Sequence, residues 1–211
     1  NNIKNIYNLL IGKIKLNEAI QKSNIDGLDI VESNVDLSGL EVETANDGNR
    51  AFLLKEIFRS NREIDLDQYE TIFIDCPPSL SLLTIMSLVA ADELIVPLQT
   101  EFFALEGITQ LLKTIERIKQ NLNPTLNIRG ILLTMYDKRN KLSAQVEEEA
   151  RKHFVEKVYR TVIPRNVRLS EAPSHGMPCV IYDLECQGSI AYMNLADEFL
   201  KEKTTKIGSA A

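Results

Sequence analysis

Short runs of consecutive apolar residues alternate along the chain with longer stretches in which apolar positions recur every three or four residues. The short runs (Ile72-Phe73-Ile74, Leu94-Ile95-Val96, Ile131-Leu132-Leu133) are continuous rather than alternating. Strands that helices cover on both faces have that pattern. Strands are predicted over 28–32, 71–75, 93–98, 128–134 and 157–163. Helices are predicted over 3–20 with a break, 50–60, 80–90, 103–121, 142–154 and 189–203. The clearest is 103–121, with Leu105, Ile108, Leu111, Leu112, Ile115 and Ile118 on one face and Pro124 just beyond its end. Strands and helices in alternation imply an α/β fold with a mainly parallel sheet flanked by helices. The reading is one domain over 1–203 and a disordered tail over 204–211.

Composition narrows the class. The 211 residues are 44% hydrophobic and 26% charged, the balance of a globular chain with a sizeable core. No run approaches the roughly 18 apolar residues of a membrane span. Three Cys (Cys76, Cys179, Cys186) without a CxxC pair, and two His, supply neither a disulfide framework nor a zinc site, which points to a reducing cytoplasm. The net charge of -6 argues against a polyanionic partner, yet the segment 138–168 holds nine basic against four acidic residues. Charge beyond about 8 Å is screened at physiological salt, so such a local surface can hold a polyanion. A solvated helix face is the plainer reading of the same residues.

Chemistry in parallel sheets gathers at the carboxyl ends of the strands. The strand predicted over 71–75 ends in Asp75, the form of a Walker B element, whose carboxylate can hold Mg²⁺ directly or through water. The Cys76-Pro77-Pro78-Ser79 that follows enforces extended backbone and leaves Ser79 to cap a helix from about Leu80. Cys76 reads as a small packing residue, Cys179 and Cys186 as structural, and His175 as a turn residue.

Four segments then resemble one family: Ile74-Asp75-Cys76-Pro77-Pro78-Ser79-Leu80; Glu101-Phe102-Phe103-Ala104-Leu105-Glu106-Gly107; Gly130 to Asp137; and Ile163 to Gly176. Their order and content are similar to those of the ParA/Soj chromosome-partitioning ATPases, from about Ile6 to Phe199. The resemblance implies a P-loop ATPase fold of the ParA/MinD type, ATP and Mg²⁺ as cofactors, a homodimer when ATP is bound, and non-specific DNA as a partner. It also implies stimulation by a ParB-type protein, and a cytoplasmic location on the nucleoid. Residue by residue it makes Asp75 the catalytic, metal-holding carboxylate and places Met135, Pro164 and Asn166 at the nucleotide. Arg139 and Arg168 match DNA-contacting positions. Arg165 is open between DNA, nucleotide and an internal ion pair. Glu101 and Glu106 are open between a dimer partner and the macrodipole of the helix they begin.

One family element has no counterpart in residues 1–211, which contain no GxxxxGK[ST] loop; Gly12-Lys13 fails at both flanking positions. The chain is expected to be a family member without its N-terminal P-loop portion, inactive by itself. Two alternatives stand beside the ATPase reading. One is a non-enzymatic binding module; the other is a MinD-like membrane-cycling ATPase. Against the latter, the helix around Leu195 to Lys203 carries at least as many acids as bases, where a membrane-seeking helix favours a basic polar face.

Overall fold

The structure, a computed structural model, describes residues 3–208, which fall into two compact units. The first runs to Asp92 and takes in Ile118–Leu126; the second holds Glu93–Arg117 and the chain from Asn127 onward.

In the first unit α1 (Ile6–Leu10) and α2 (Leu16–Ala19) realise the helix predicted over 3–20 with its break, which falls at Gly12, in the left-handed region at φ 73°. Asn5 caps α1 by accepting the Asn8 N–H at 2.9 Å. The strand predicted over 28–32 shrinks to β2 (Asp29–Ile30), antiparallel to β1 (Gln21–Lys22). Asp29 accepts from Lys22 at 2.8 Å and from the Tyr69 hydroxyl at 2.7 Å, and these bonds hold its carboxyl below the usual range. After α3 (Leu40–Glu43), α4 (Leu53–Ser60) and α5 (Leu82–Ala90) pack Leu54, Leu82 and Met86 with Leu10 and Leu40 into the unit's core. The helix predicted from about Leu80 thus starts two residues later. Its N-cap is Ser81, whereas Ser79 uses its carbonyl to accept the Thr84 hydroxyl.

The segment 71–75 forms no strand in either sheet, and Ile72 and Phe73 are 47% and 73% exposed. An apolar run becomes a strand only beside a neighbour that takes its backbone N–H and C=O groups. Among the described residues the sheets are β1–β2 and the pair in the second unit.

That second pair is parallel, as the continuous apolar runs require: β3 (Glu93–Gln99) beside β4 (Asn127–Thr134). They are joined through α6 (Ala104–Asn121), which begins in this unit and ends in the first. Register slips between Leu94, opposite Ile128, and Ile95, opposite Gly130, leaving Arg129 as a bulge residue. The bulge turns Arg129 inward, onto Glu93 at 2.7 Å, the Phe199 carbonyl at 2.6 Å and the Phe199 ring at 3.7 Å. So α10 (Gln187–Gly208) is anchored on the sheet. Its backbone runs into the segment 204–211 read as a tail, and residues 209–211 lie outside the described ones. Between these come α7 (Lys141–Phe154), α8 (Val167–Glu171) and α9 (Cys179–Tyr182). The core holds Val96, Ile108, Ile131, Leu133 and Ala150, all buried.

The strand predicted over 157–163 makes one parallel bridge rather than a ladder, Ile131 to Val158, and a second, Tyr136 to Pro164, follows one residue beyond it. The cause is side-chain competition. Arg151 takes the carbonyls of Tyr159 and Arg160, at 3.1 and 3.4 Å, and Glu198 takes the N–H groups of Arg160 and Thr161, at 2.7 and 2.9 Å.

Gly130 meets Tyr159 so closely that a Cβ would lie 2.6 Å from the ring of that residue, which is 3% exposed. Overpacking of this kind costs about 1–3 kcal/mol, so Gly130→Ala is expected to lower the urea midpoint accordingly without changing the slope. An unchanged midpoint would mean that the ring moves aside at no cost.

Candidate nucleotide and DNA sites

The predicted residues divide between the units. Asp75 belongs to the first, and Met135, Pro164, Asn166, Arg139 and Arg168 to the second. Asp75 is exposed, at the end of the segment 71–75. Cys76 beside it is exposed as well, which corrects its reading as a packing residue. No group of three His, Cys, Asp or Glu is placed to hold a metal among the described residues. A single solvent-facing carboxylate nonetheless fits Mg²⁺, a hard cation that keeps several waters and takes one or two carboxylates together with substrate phosphates.

In the second unit the carboxyl end of β4 and the segment before α8 run side by side. The Tyr136 N–H donates to the Ile163 carbonyl at 3.1 Å, and the Arg165 N–H to the Tyr136 carbonyl at 3.0 Å. Met135 and Pro164 are therefore brought to the same edge, one residue out of register. Met135 is 40% exposed and sits at φ 53°. The left-handed region costs an L-residue about 1–2 kcal/mol, and such strain collects where a side chain has a task. Asn166 is two residues on. Its Oδ1 accepts the Arg168 N–H at 2.9 Å and caps α8, so one side chain positions both the edge and the arginine that follows.

Both predicted DNA-contact arginines are exposed and both hold carboxylates. Arg139 grips Asp137 with Nε at 3.1 Å and Nη2 at 3.0 Å, and this hydrogen-bonded guanidinium keeps the Asp137 carboxyl below the usual range. Arg168 reaches Glu171 at 2.8 Å and Asp183 at 3.2 Å. The basic surplus of 138–168 is thus partly answered by three acids outside it, of which Asp183 is brought in from fifteen residues beyond the segment. Two of its other cations are engaged as well: Arg151 bonds Glu147 at 2.9 Å and Lys157 the Ile128 carbonyl at 2.9 Å.

A cavity of about 550 Å³ opens elsewhere in the second unit, between the end of β3 and α6, with Phe102 and Phe103 at its rim. None of the predicted nucleotide residues lines it. Its wall is mostly apolar, suited to side-chain packing rather than to a triphosphate. Glu106 lies in the first turn of α6. His175 closes a 3-10 turn and stacks on Tyr182, with the ring centroids 4.9 Å apart.

The parallel sheet with flanking helices defines a class, the ParA/MinD type of P-loop ATPase. The solved structure of a cobyrinic acid a,c-diamide synthase from Mycobacterium smegmatis, with bound ADP and magnesium, is similar to it. That protein is 30% identical, with a TM-score of 0.78 over 96% of this chain and 73% of its own. The AAA domain family matches residues 1–128. The chromosome partitioning protein ParA of Caulobacter vibrioides is 48% identical over 206 residues, 98% of this chain and 76% of that protein. The chromosome-partitioning ATPase Soj of Treponema pallidum is 45% identical over 195 residues, 92% of this chain and 76% of that protein. The chain belongs to the ParA/Soj family of partitioning ATPases.

Proposed function

We propose that this chain is the greater part of a DNA-partitioning ATPase that binds ATP with Mg²⁺, pairs with a second copy in that state, and then holds DNA without regard to sequence. A ParB-type protein stimulates hydrolysis and so release. The observation that supports this most is the clustering in the second unit. Met135 and Pro164 share one strand edge, and Arg139 and Arg168 stand a few residues beyond each of them. A nucleotide held at that edge would bear directly on the turn that carries Arg139 and on the start of α8, which carries Arg168. Asp75 would hold the ion, which when bound offsets phosphate charge. Met135 and Pro164 would supply apolar contact and Asn166 polar contact for the base.

Residues 1–211 hold no phosphate-cradling loop, so the test compares two proteins. Joined behind a family P-loop segment, the chain is expected to retain duplex DNA only with ATP and Mg²⁺. The 211-residue chain is expected to show no ATP binding by isothermal titration. DNA retention that ignores nucleotide in the first protein would overturn the switch, and micromolar ATP affinity in the second would mean that another anion site exists. The binding-module reading predicts no turnover in either.

A further inference from the structure

The spacing of Cys179 and Cys186, seven residues apart, suggests no pairing, yet their sulfurs lie 3.6 Å from each other. Cys179 opens α9, and Cys186 sits immediately before α10, where its carbonyl accepts the Ile190 N–H at 3.1 Å. Ser189, buried, places its hydroxyl 3.3 Å from each sulfur and donates its backbone N–H to Cys186 Sγ at 3.3 Å. Asp183 ties the intervening turn by accepting the Cys186 N–H at 3.1 Å. Both cysteines are half-buried, whereas Cys76 is exposed.

We propose that Cys186 and Cys179 form a reversible oxidation site, in which a peroxide converts the dithiol to an intramolecular disulfide. The Cys186 thiolate attacks a peroxide oxygen; an S–O bond forms, the O–O bond breaks and hydroxide leaves. The Cys179 thiol then gives up its proton and attacks the sulfenic sulfur; the S–S bond forms and water leaves. In sum two thiols and one hydrogen peroxide give one disulfide and two waters, the sulfurs losing two electrons and the peroxide gaining them.

The two environments suit these roles. Burial works to raise the Cys186 thiol, but its hydrogen bonding with Ser189, whose backbone N–H donates to the sulfur, and with Cys179 outweighs it and leaves Cys186 below the ordinary thiol range. Burial pushes Cys179 up, so it stays protonated until called on to resolve. A helix N-terminus favours a thiolate for the same reason that it favours any anion. Closing the bond needs the sulfurs to come about 1.5 Å nearer. In a reducing compartment such a pair rests as the dithiol and oxidises transiently.

Both cysteines fall on one tryptic peptide, 169–201, because no Lys or Arg lies between Arg168 and Lys201. The reduced 211-residue chain is treated with one equivalent of hydrogen peroxide at neutral pH, blocked with iodoacetamide and digested. The expected peptide is unalkylated and lighter by two hydrogens, reverts with dithiothreitol, and appears while Cys76 remains alkylatable. In Cys179→Ser, dimedone is expected to trap the sulfenic acid on Cys186. Before oxidation, Cys186 is expected to alkylate several-fold faster than Cys179 at neutral pH and to keep its lead as pH falls, since its thiolate persists lower. Consumption of Cys76 while 169–201 stays fully alkylatable would overturn the proposal, as would a peptide oxidised only to sulfinic acid without a disulfide.

Discussion

Asp75→Ala is expected to cut Mg²⁺-dependent ATP turnover about a hundredfold or more in a protein that carries a family P-loop ahead of this chain. A carboxylate-held divalent ion offsets developing phosphate charge by several kcal/mol, and each ~1.4 kcal/mol is tenfold in rate. The substitution should leave the fold alone, because Asp75 is exposed and ends a segment outside any ladder. Turnover is measured by phosphate release across a magnesium series, beside circular dichroism. A true ion-holding role predicts that Asp75→Ala raises the magnesium requirement or removes the response altogether. Wild-type turnover with an intact spectrum would show that Asp75 is a strand-end residue in contact with solvent and nothing more.

What could be read from sequence was whatever depends on local period. Ile108, Ile115 and Ile118 recur on one face, and in α6 all three are buried. Leu94 to Val96 and Ile131 to Leu133 form a parallel pair because neither run spares a polar face. The failures lie where structure depends on a partner distant along the chain. Ile72 to Ile74 has the composition of a strand, but composition does not set the strand ladder, and the segment lies in neither sheet. Arg151 takes the carbonyls of Tyr159 and Arg160 and Glu198 the N–H groups of Arg160 and Thr161, and no pattern within 157–163 announces that.

The candidate sites divide in the same way. Asp75, Met135, Pro164 and Asn166 were legible as residues at strand ends within motifs, since a strand end is a feature of local sequence. Their settings were not. The positive φ of Met135 is a conformational fact without a sequence signature outside glycine, and although Asn is a favoured N-cap residue, nothing in the local pattern announces the five-residue helix that Asn166 caps. The carboxylates on Arg139 and Arg168 illustrate the limit most directly. Asp137 and Glu171 stand two and three residues from their arginines, near enough to suspect, whereas Asp183 is fifteen away and is brought in by the turn before Cys186.

Those carboxylates bear on the second large expectation, that Arg139→Ala or Arg168→Ala weakens DNA binding. In a chain of net charge -6, a duplex must be held by local cations, and both arginines are exposed enough to reach one. Each must exchange a carboxylate for a phosphate. Exposed ion pairs are worth about 0–1 kcal/mol, so the exchange costs little, and the guanidinium fork suits phosphate as well as it suits carboxylate. Loss of one phosphate contact lowers the slope of log affinity against log salt by roughly one per protomer, and an ATP-bound pair would double that. The loss should be equal on unrelated duplexes, because phosphates carry no sequence. ATP turnover without DNA should persist, since the role proposed for both residues is contact with DNA. Anisotropy titrations with ATP at several salt concentrations, on two unrelated duplexes, decide the matter. Wild-type affinity in both variants would leave Arg139 and Arg168 as partners of Asp137, Glu171 and Asp183 alone; a loss confined to one duplex would require contact with base edges.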